Sequence, residues 1–194
     1  GAQLLDVREA ADFAGAHLKG SLNIGLQGQY ATWCGTLLTS DRPIVIIAEN
    51  GDEQEAIMRL GRIGFDNVAG YLAGGMQALQ DRPDLVEQTS RITAEALAEQ
   101  LASDHQPVVV DIRSAKEREG GFIENSLHIP LNHLAERMNE IPDHTDVVVH
   151  CAGGYRSSAG CSILKRSGRN ATDLVGGFKA WQASRLPVAS PVSA

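Results

Sequence analysis

Short runs of β-branched residues alternate along the chain with stretches in which apolar residues recur at helical spacing. In the C-terminal half, strands are predicted at 107–111, 147–149 and 174–175. Helices are predicted at 93–101, 131–141, 157–167 and 178–183. Because strands and helices alternate and the strand runs are apolar throughout, we predict an α/β fold in which a central, mainly parallel sheet is flanked by helices.

The N-terminal half carries the same pattern, and several of its residues recur in the second half. The matching segments are Asp6-Val7-Arg8 with Asp111-Ile112-Arg113, Ser21-Leu22 with Ser126-Leu127, and Gly74-Gly75 with Gly176-Gly177. This repeat predicts two similar domains, at 1–86 and 87–194, with a linker near 81–89. The first copy has no counterpart of the helix predicted at 93–101, so we expect its N-terminal part to be missing.

Composition and charge narrow the classes of function. The 194 residues have a formal net charge of −7, with 43% hydrophobic and 21% charged residues, which is an ordinary globular mixture. An acidic chain without a basic stripe argues against nucleic acid as a partner. No apolar run approaches the length of a membrane span, so we expect no membrane partner either.

The chain has three cysteines, Cys34, Cys151 and Cys161. A small odd number without framework spacing argues against a disulfide scaffold and favours a reducing compartment, so we predict a cytoplasmic protein. No CxxC pair or spaced His/Cys cluster supports a metal site, although His150 adjoins Cys151. We expect Cys34 and Cys161 to be packing residues. Cys151 differs because it follows a predicted strand, at the edge where open α/β sheets bind ligands.

The segment after this strand reads Cys151-Ala152-Gly153-Gly154-Tyr155-Arg156-Ser157. A strand, a glycine-rich bend and a helix start in this order can direct several backbone N–H groups at one anion. A cysteine at the mouth of such a nest favours the thiolate, which is the nucleophilic form. Arg156 adds a planar donor fork suited to oxyanions. Attack on a phosphate ester and sulfur transfer both use such a cradle.

The motif Cys151-x-x-Gly154-x-Arg156-Ser157 resembles the active loop of the rhodanese family. Flanking blocks of this family are matched in order by 111–113, 121–123 and 126–130 before the loop, and by 176–178, Trp181 and 186–188 after it. In that family the cysteine accepts a sulfane sulfur as a persulfide. The related cysteine phosphatases have five residues between cysteine and arginine, so the four residues here favour sulfur over phosphate.

The resemblance implies a sulfurtransferase that moves sulfur from thiosulfate or a low-molecular-weight persulfide, such as glutathione persulfide, to a thiol acceptor such as glutathione. Cys151 would be catalytic, and the following loop residues would bind the substrate: Ala152, Gly153, Gly154, Tyr155, Arg156 and Ser157. No metal or organic cofactor is required. Asp111 and Arg113 are predicted to support the structure, because Asp6 and Arg8 form the same pair in the first copy.

The first copy reads Ile47-Ala48-Glu49-Asn50-Gly51-Asp52-Glu53 where the loop should fall. It lacks the cysteine and the arginine and carries acidic side chains, so we predict an inactive domain with a structural or docking role. A degenerate copy before an active one resembles the C-terminal part of fusions between a metallo-β-lactamase-like persulfide dioxygenase and rhodanese domains. That resemblance implies a dioxygenase as a fused or separate partner.

Two alternatives to the sulfurtransferase remain open. One is a non-catalytic sulfur carrier or docking module that receives sulfur only from a fused or partner persulfide-oxidising enzyme. The other is a cysteine-dependent phosphatase or arsenate reductase that uses the same cradle, which the short loop disfavours.

Overall fold

The computed structural model describes residues 1–190 of the chain, which fold as two units, Gly1–Thr89 and a second unit that begins at Ser90. The strands of the first unit are β1 (Gln3–Asp6), β2 (His17–Leu18), β3 (Leu22–Asn23), β4 (Ile44–Ile47), β5 (Val68–Tyr71) and β6 (Val86–Glu87). Its helices are α1 (Ala10–Gly15), α2 (Tyr30–Leu37) and α3 (Glu53–Gly61), with 3₁₀ turns at Gly75–Leu79 and Pro83–Leu85. Four strands form a parallel sheet in the order β3-β1-β4-β5, and β2 pairs with β6 in antiparallel orientation.

The second unit repeats this plan with an additional strand and helix at its start. Its strands are β7 (Arg91–Ile92), β8 (Val108–Asp111), β9 (Leu127–His128), β10 (Val147–His150) and β11 (Thr172–Leu174). Its helices are α4 (Ala94–Leu101), α5 (Ala115–Glu119), α6 (Leu134–Arg137), α7 (Tyr155–Arg166) and α8 (Gly177–Ala183). All five strands are parallel, in the order β7-β11-β10-β8-β9.

Both units confirm the predicted fold class, because each contains a parallel sheet flanked by helices. The valines of the central strands supply much of the core in the second unit, where Val109 and Val148 pack with Leu97, Leu174 and Trp181. Each such side chain stabilises the fold by about 1.5–3 kcal/mol through burial. Within residues 1–190, no helix is long and apolar enough to cross a membrane.

The single helix predicted at 131–141 is wrong in detail. The structure has a 3₁₀ turn at Leu131–His133, the short helix α6 and a second 3₁₀ turn at Met138–Glu140. Asn132 and Asn139 lie in the two turns, and asparagine favours turns over helix because its side chain competes for backbone hydrogen bonds. Leu131 and Leu134 are buried, as the spacing of apolar residues indicates, but this spacing does not specify one continuous helix.

The first unit extends beyond the limit of 86 that we predicted from the sequence. Glu87 in β6 pairs with His17 in β2. The backbone N–H of Thr89 donates to the carbonyl oxygen of Ala14 at 3.0 Å. Residues 87–89 therefore lie with the first unit.

The strand registers identify equivalent positions in the two copies. Asp6 pairs with Ile47 in the first sheet, and Asp111 pairs with His150 in the second. The residues that come next are Ala48 and Cys151. The first copy therefore has an alanine in the place of the cysteine.

Candidate active site

Cys151 lies at the carboxyl end of β10, at the start of the loop that leads into α7. Its side chain is almost fully buried, at 1% exposure. The backbone N–H of Gly154 donates to Cys151 Sγ at 3.1 Å, and the thiol lies 3.7 Å from Ser157 Oγ. The loop therefore places one backbone N–H donor and one hydroxyl group beside the sulfur, whereas the sequence predicted a nest of several N–H groups.

The predicted loop residues differ in exposure. Gly154 and Ser157 are buried, Gly153 is exposed, and Ala152 and Tyr155 are partly exposed. Gly154 has a φ of +93°, which favours glycine, and it precedes the first residue of α7. Ala152, Gly153 and Tyr155 therefore form the part of this segment that faces the solvent.

Helix α8 fastens the other side of the loop. The N–H of Phe178 donates to the Cys151 carbonyl oxygen at 2.8 Å, and the N–H of Lys179 donates to that of Ala152 at 2.9 Å. Gly177 has a φ of +58°, and a Cβ at this position would lie only 2.5 Å from the Cys151 carbonyl oxygen. Glycine is therefore required here, because any side chain would push the cysteine loop away from α8.

Arg156 is held by a carboxylate that the sequence analysis did not identify. Its Nη1 and Nη2 donate to the two carboxylate oxygens of Glu117 at 2.8 and 2.5 Å. Hydrogen bonding to Glu117 and the nearby Cys151 side chain both raise the pKa of Arg156, so the cation lies close to Cys151. Hydrogen bonding to Arg156 is the main cause that lowers the pKa of Glu117 to about 2. Arg156 is thus a fixed, partly neutralised cation at the edge of the loop.

Glu117 is positioned by a local sequence signal. Ser114 and Glu117 form a capping box at the start of α5, in which Ser114 Oγ accepts from the N–H of Glu117 and the Glu117 side chain accepts from the N–H of Ser114. The pattern of a serine followed three residues later by a glutamate predicts such a helix start. It does not predict the contact with Arg156, which depends on how α5 and the loop pack together.

Asp111 and Arg113 form a buried ion pair, with Arg113 Nη2 2.7 Å from Asp111 Oδ2. Arg113 also donates to the Gly121 carbonyl oxygen at 2.9 Å. A second arginine, Arg118, donates to Asp111 Oδ2 at 2.9 Å and to Ser126. Burial acts to raise the pKa of Asp111, but the bonds from Arg113 and the charge of neighbouring groups outweigh it and lower this pKa to about 2.

The first copy contains the same pair. Arg8 Nη2 lies 2.7 Å from Asp6 Oδ2, and Arg8 also donates to the carbonyl oxygen of Ala16. The pair therefore ties the end of β1 in the first unit, and of β8 in the second, to a following loop, including in the unit without the cysteine. These contacts agree with the structural role that we expected for Asp111 and Arg113, which remains a prediction.

In the first copy, the side chain of Glu53 accepts a hydrogen bond from the backbone of the equivalent loop. The backbone N–H of Gly51 donates to Glu53 Oε2 at 2.9 Å. In the second copy, the N–H of Gly154 points instead at the sulfur. The acidic residue of the first copy therefore occupies the donor that a thiolate or an anionic substrate would need.

The remaining cysteines and His150 lie in the protein interior. Cys34 on α2 and Cys161 on α7 are both fully buried, and burial raises the pKa of the Cys34 thiol to about 12 and that of Cys161 well above its usual range. His150 is also fully buried, and burial lowers its pKa to about 4. Within residues 1–190, no group of three or more His, Cys, Asp or Glu side chains could hold a metal ion.

Comparison with known proteins identifies the family of the chain. The sequence profile of the rhodanese-like domain matches residues 1–82 and 93–184. A sulfurtransferase of Allochromatium vinosum is 36% identical over 103 residues, which are 53% of this chain and 96% of that protein. The putative sulfur carrier protein YrkF of Bacillus subtilis is 29% identical over 91 residues, 46% of this chain and 49% of that protein.

A solved structure shows the same fold. The rhodanese-like domain of the Alr3790 protein from Anabaena superposes with a TM-score of 0.50 at 22% identity, covering 54% of this chain and 82% of that one. At this identity the likeness concerns the fold alone. The profile matches extend over most of the chain and cover both units, so the chain belongs to the rhodanese family and contains two rhodanese-like domains.

Proposed function

We propose that the second unit is a sulfurtransferase in which Cys151 carries sulfane sulfur as a persulfide. The observation that carries this proposal is the donor geometry around the sulfur. The Gly154 N–H points at Cys151 Sγ from 3.1 Å, and the Arg156 cation lies near the same side chain. Fixed donors aimed at one sulfur atom stabilise both a thiolate and the anion of a persulfide.

The first half of the reaction loads the cysteine. The Cys151 thiolate attacks the outer sulfur of thiosulfate or of a low-molecular-weight persulfide such as glutathione persulfide. A new S–S bond forms, the S–S bond of the donor breaks, and the bonding electron pair leaves with sulfite or with the donor thiolate. The loop then holds a cysteine persulfide without a metal or an organic cofactor.

The second half of the reaction removes the sulfane sulfur from Cys151. An acceptor thiolate, such as that of glutathione, attacks the outer sulfur of the persulfide. The acceptor leaves as a persulfide, and the electron pair of the broken bond returns to Cys151 as a thiolate. Both half-reactions use the same nucleophilic substitution at sulfur, so a single loop serves them both.

The size of the loop favours sulfur over phosphate. Four residues separate Cys151 from Arg156, and two of the loop carbonyl oxygens are fixed by α8. A tetrahedral phosphoryl group needs a wider ring of N–H donors than a single sulfur atom does. Hydrolysis of a phosphate ester by a protein that does not react with thiosulfate or persulfides would favour the phosphatase instead.

A sulfur carrier is the second candidate. Two observations favour it, namely the near-complete burial of Cys151 and the similarity to a protein named as a putative sulfur carrier. In that case a larger enzyme would deliver the sulfur, and the resemblance noted in the sequence makes a fused or separate metallo-β-lactamase-like dioxygenase the partner we propose.

Steady-state kinetics separate these functions. We expect turnover with thiosulfate or glutathione persulfide as donor and glutathione, sulfite or cyanide as acceptor, and we expect Cys151→Ser to abolish it. Cys161→Ser is the matched control, because this cysteine is buried on α7, away from the loop donors. Loading of Cys151 without turnover on any small acceptor would favour the carrier, and full turnover by Cys151→Ser would exclude both.

A further inference from the structure

A second carboxylate lies behind the cysteine loop, on β11. Asp173 is 1% exposed, and its Oδ2 accepts from Arg91 Nε at 3.1 Å. Its Oδ1 is buried and has no hydrogen-bond partner within the described residues. The hydroxyl of Ser157 lies near the same carboxylate and acts to lower its pKa, while its oxygen lies 3.7 Å from Cys151 Sγ. Ser157 therefore lies between the sulfur and Asp173, and these three side chains form a path.

The first copy lacks every member of this path. Ala48 takes the place of the cysteine, and the first turn of α3 carries glutamate and glutamine instead of serine. By strand register, the equivalent of Asp173 is Tyr71, because Val149 pairs with Asp173 and Ile46 pairs with Tyr71. The Asp–Arg ion pair is present in both copies, at the ends of β1 and β8, so the copies share this ion pair but not the path.

Packing does not account for a carboxylate at this position. A buried polar atom without a partner costs about 1–3 kcal/mol, and Tyr71 shows that the fold does not need an acid here. Burial is the main cause that raises the pKa of Asp173, against the opposing effects of Ser157 and Arg91. Its neutral form is therefore easier to reach than that of an exposed aspartate, and its free Oδ1 can hold a proton.

We propose that Asp173 is a positioning residue that receives the proton of the Cys151 thiol through Ser157. This inference rests on the sulfurtransferase function proposed above. The Cys151 S–H bond breaks and its proton passes to Ser157 Oγ, while the Ser157 hydroxyl proton passes to the Asp173 carboxylate. The products are a Cys151 thiolate and a neutral Asp173, so the number of protons and the total charge of the buried pair do not change.

After the proton transfer, the direction of the hydrogen bonds stabilises the Cys151 thiolate. After it, the Ser157 hydroxyl donates to Sγ, and the protonated Asp173 donates to Ser157 Oγ. The sulfur then has two donors, the Ser157 hydroxyl and the Gly154 N–H at 3.1 Å. Reversal of the same steps returns the proton when the sulfur is a resting thiol, and no proton has to cross from solvent in either direction.

Other titratable and charged groups surround this path. They are Arg91 on β7, Arg156 and Cys161 on α7, His150 on β10, and Glu117 on α5, which pairs with Arg156. Arg91 stabilises the charged form of Asp173, and burial keeps His150 neutral and Cys161 protonated near pH 7. Asp173 is thus the group near Ser157 that we expect to exchange a proton with the cysteine.

The test is the pH dependence of Cys151 alkylation by iodoacetamide, from about pH 5 to 9, in the full chain. Trypsin separates the peptide 138–156, which contains Cys151, from the peptide 157–165, which contains Cys161. A coupled pair releases its protons in two steps, so the wild-type rate should rise in two steps. Asp173→Asn should lose the lower step and react about tenfold more slowly near pH 6, yet match the wild type near pH 9.

Two further variants decide the outcome. Asp143→Asn is the matched control, because Asp143 is an exposed carboxylate that pairs with Arg169, and its profile should equal that of the wild type. If Asp173→Asn does not fold, Ser157→Ala replaces it and should lose the lower step as well. A single step in the wild type, or a loss of rate in Asp173→Asn that is equal at every pH, would overturn the proposal.

The reaction with iodoacetamide needs no sulfur donor, so this result is independent of the proposed function. A two-step profile without any sulfur loading would refute the sulfurtransferase and leave the proton path intact. Sulfur loading with identical pH profiles in the wild type and Asp173→Asn would refute the proton path and leave the sulfurtransferase intact.

Discussion

His150 shows how one buried side chain makes the stability of the second unit depend on pH. It directly precedes the cysteine, and its Nε2 is buried without a hydrogen-bond partner in the described part of the chain, 3.9 Å from Asp111 Oδ1. Burial lowers its pKa from 6.5 to about 4, so the folded unit holds a neutral imidazole. The unfolded chain binds a proton between these two values, and stability is therefore lost as the pH falls through this window.

We predict that His150→Ile removes this pH dependence. The first copy has Ile47 at the equivalent position, so isoleucine fits the fold. Between pH 7.5 and 4.5 the wild type should lose about 2.5 kcal/mol more unfolding free energy than the variant. Urea unfolding followed by Trp181 fluorescence in a Trp33→Phe background reports on the second unit. Equal losses in both proteins would show that His150 is not the titrating group.

The contact between the cysteine loop and the glycine pair after β11, and its counterpart after β5, show what individual elements contribute. Gly177 has a φ of +58° and Gly75 a φ of +56°, and a Cβ on either would approach the carbonyl oxygen of Cys151 or Ala48, at 2.5 and 3.0 Å. The same contact thus joins the loop to the following helical segment in both copies. Only in the second copy does that contact position a nucleophile.

The variants Gly177→Ala and Gly75→Ala distinguish the effect of this contact on stability from its effect on the position of Cys151. Each should destabilise its own unit by about 1–3 kcal/mol, because alanine is strained at positive φ and its Cβ crowds a backbone oxygen. Only Gly177→Ala should slow the loading of Cys151 with sulfur, by at least about tenfold, since it displaces the loop. The measurement is the single-turnover loading rate at a temperature where both variants are folded. Equal slowing by Gly75→Ala would mean that the effect is not local.

At the scale of elements, the sequence predicted the features that follow from short local patterns of residues. Apolar strand runs and the glycine-rich segment after Val149 were sufficient to predict the parallel sheets and to locate the cysteine loop. Glu117 and Asp173 were not predicted as part of the site. Each reaches the loop from a segment distant in sequence, and a carboxylate in a short helix or strand looks like an ordinary surface residue until the packing is known.

The whole molecule contains two copies of one fold that differ at the loop. The first copy has Ala48 where the second has Cys151, and its loop N–H at Gly51 is bonded to Glu53. A cysteine alone should therefore not restore activity, because the donor that would stabilise a thiolate is already occupied. The inactivity of the first unit would then depend on the whole loop rather than on the missing cysteine sulfur alone.

We predict that the double variant Ala48→Cys/Cys151→Ser gains no sulfur from thiosulfate or glutathione persulfide. Its mass after incubation should equal that of Cys151→Ser. Adding Glu53→Ala, which frees the Gly51 N–H, serves as the comparison and should raise the reactivity of the new cysteine. Sulfur loading of the double variant at the wild-type rate would show that the loop contributes little to the chemistry.

The most direct test of the central claim is the intact mass of the protein after a brief incubation with thiosulfate, and then with glutathione persulfide, for the wild type and for Cys151→Ser. We expect that the wild type gains the mass of one sulfur atom, that a thiol removes it, and that Cys151→Ser gains nothing. An equal gain in Cys151→Ser, or no gain in the wild type with either donor, would contradict the assignment of Cys151 as the sulfur acceptor.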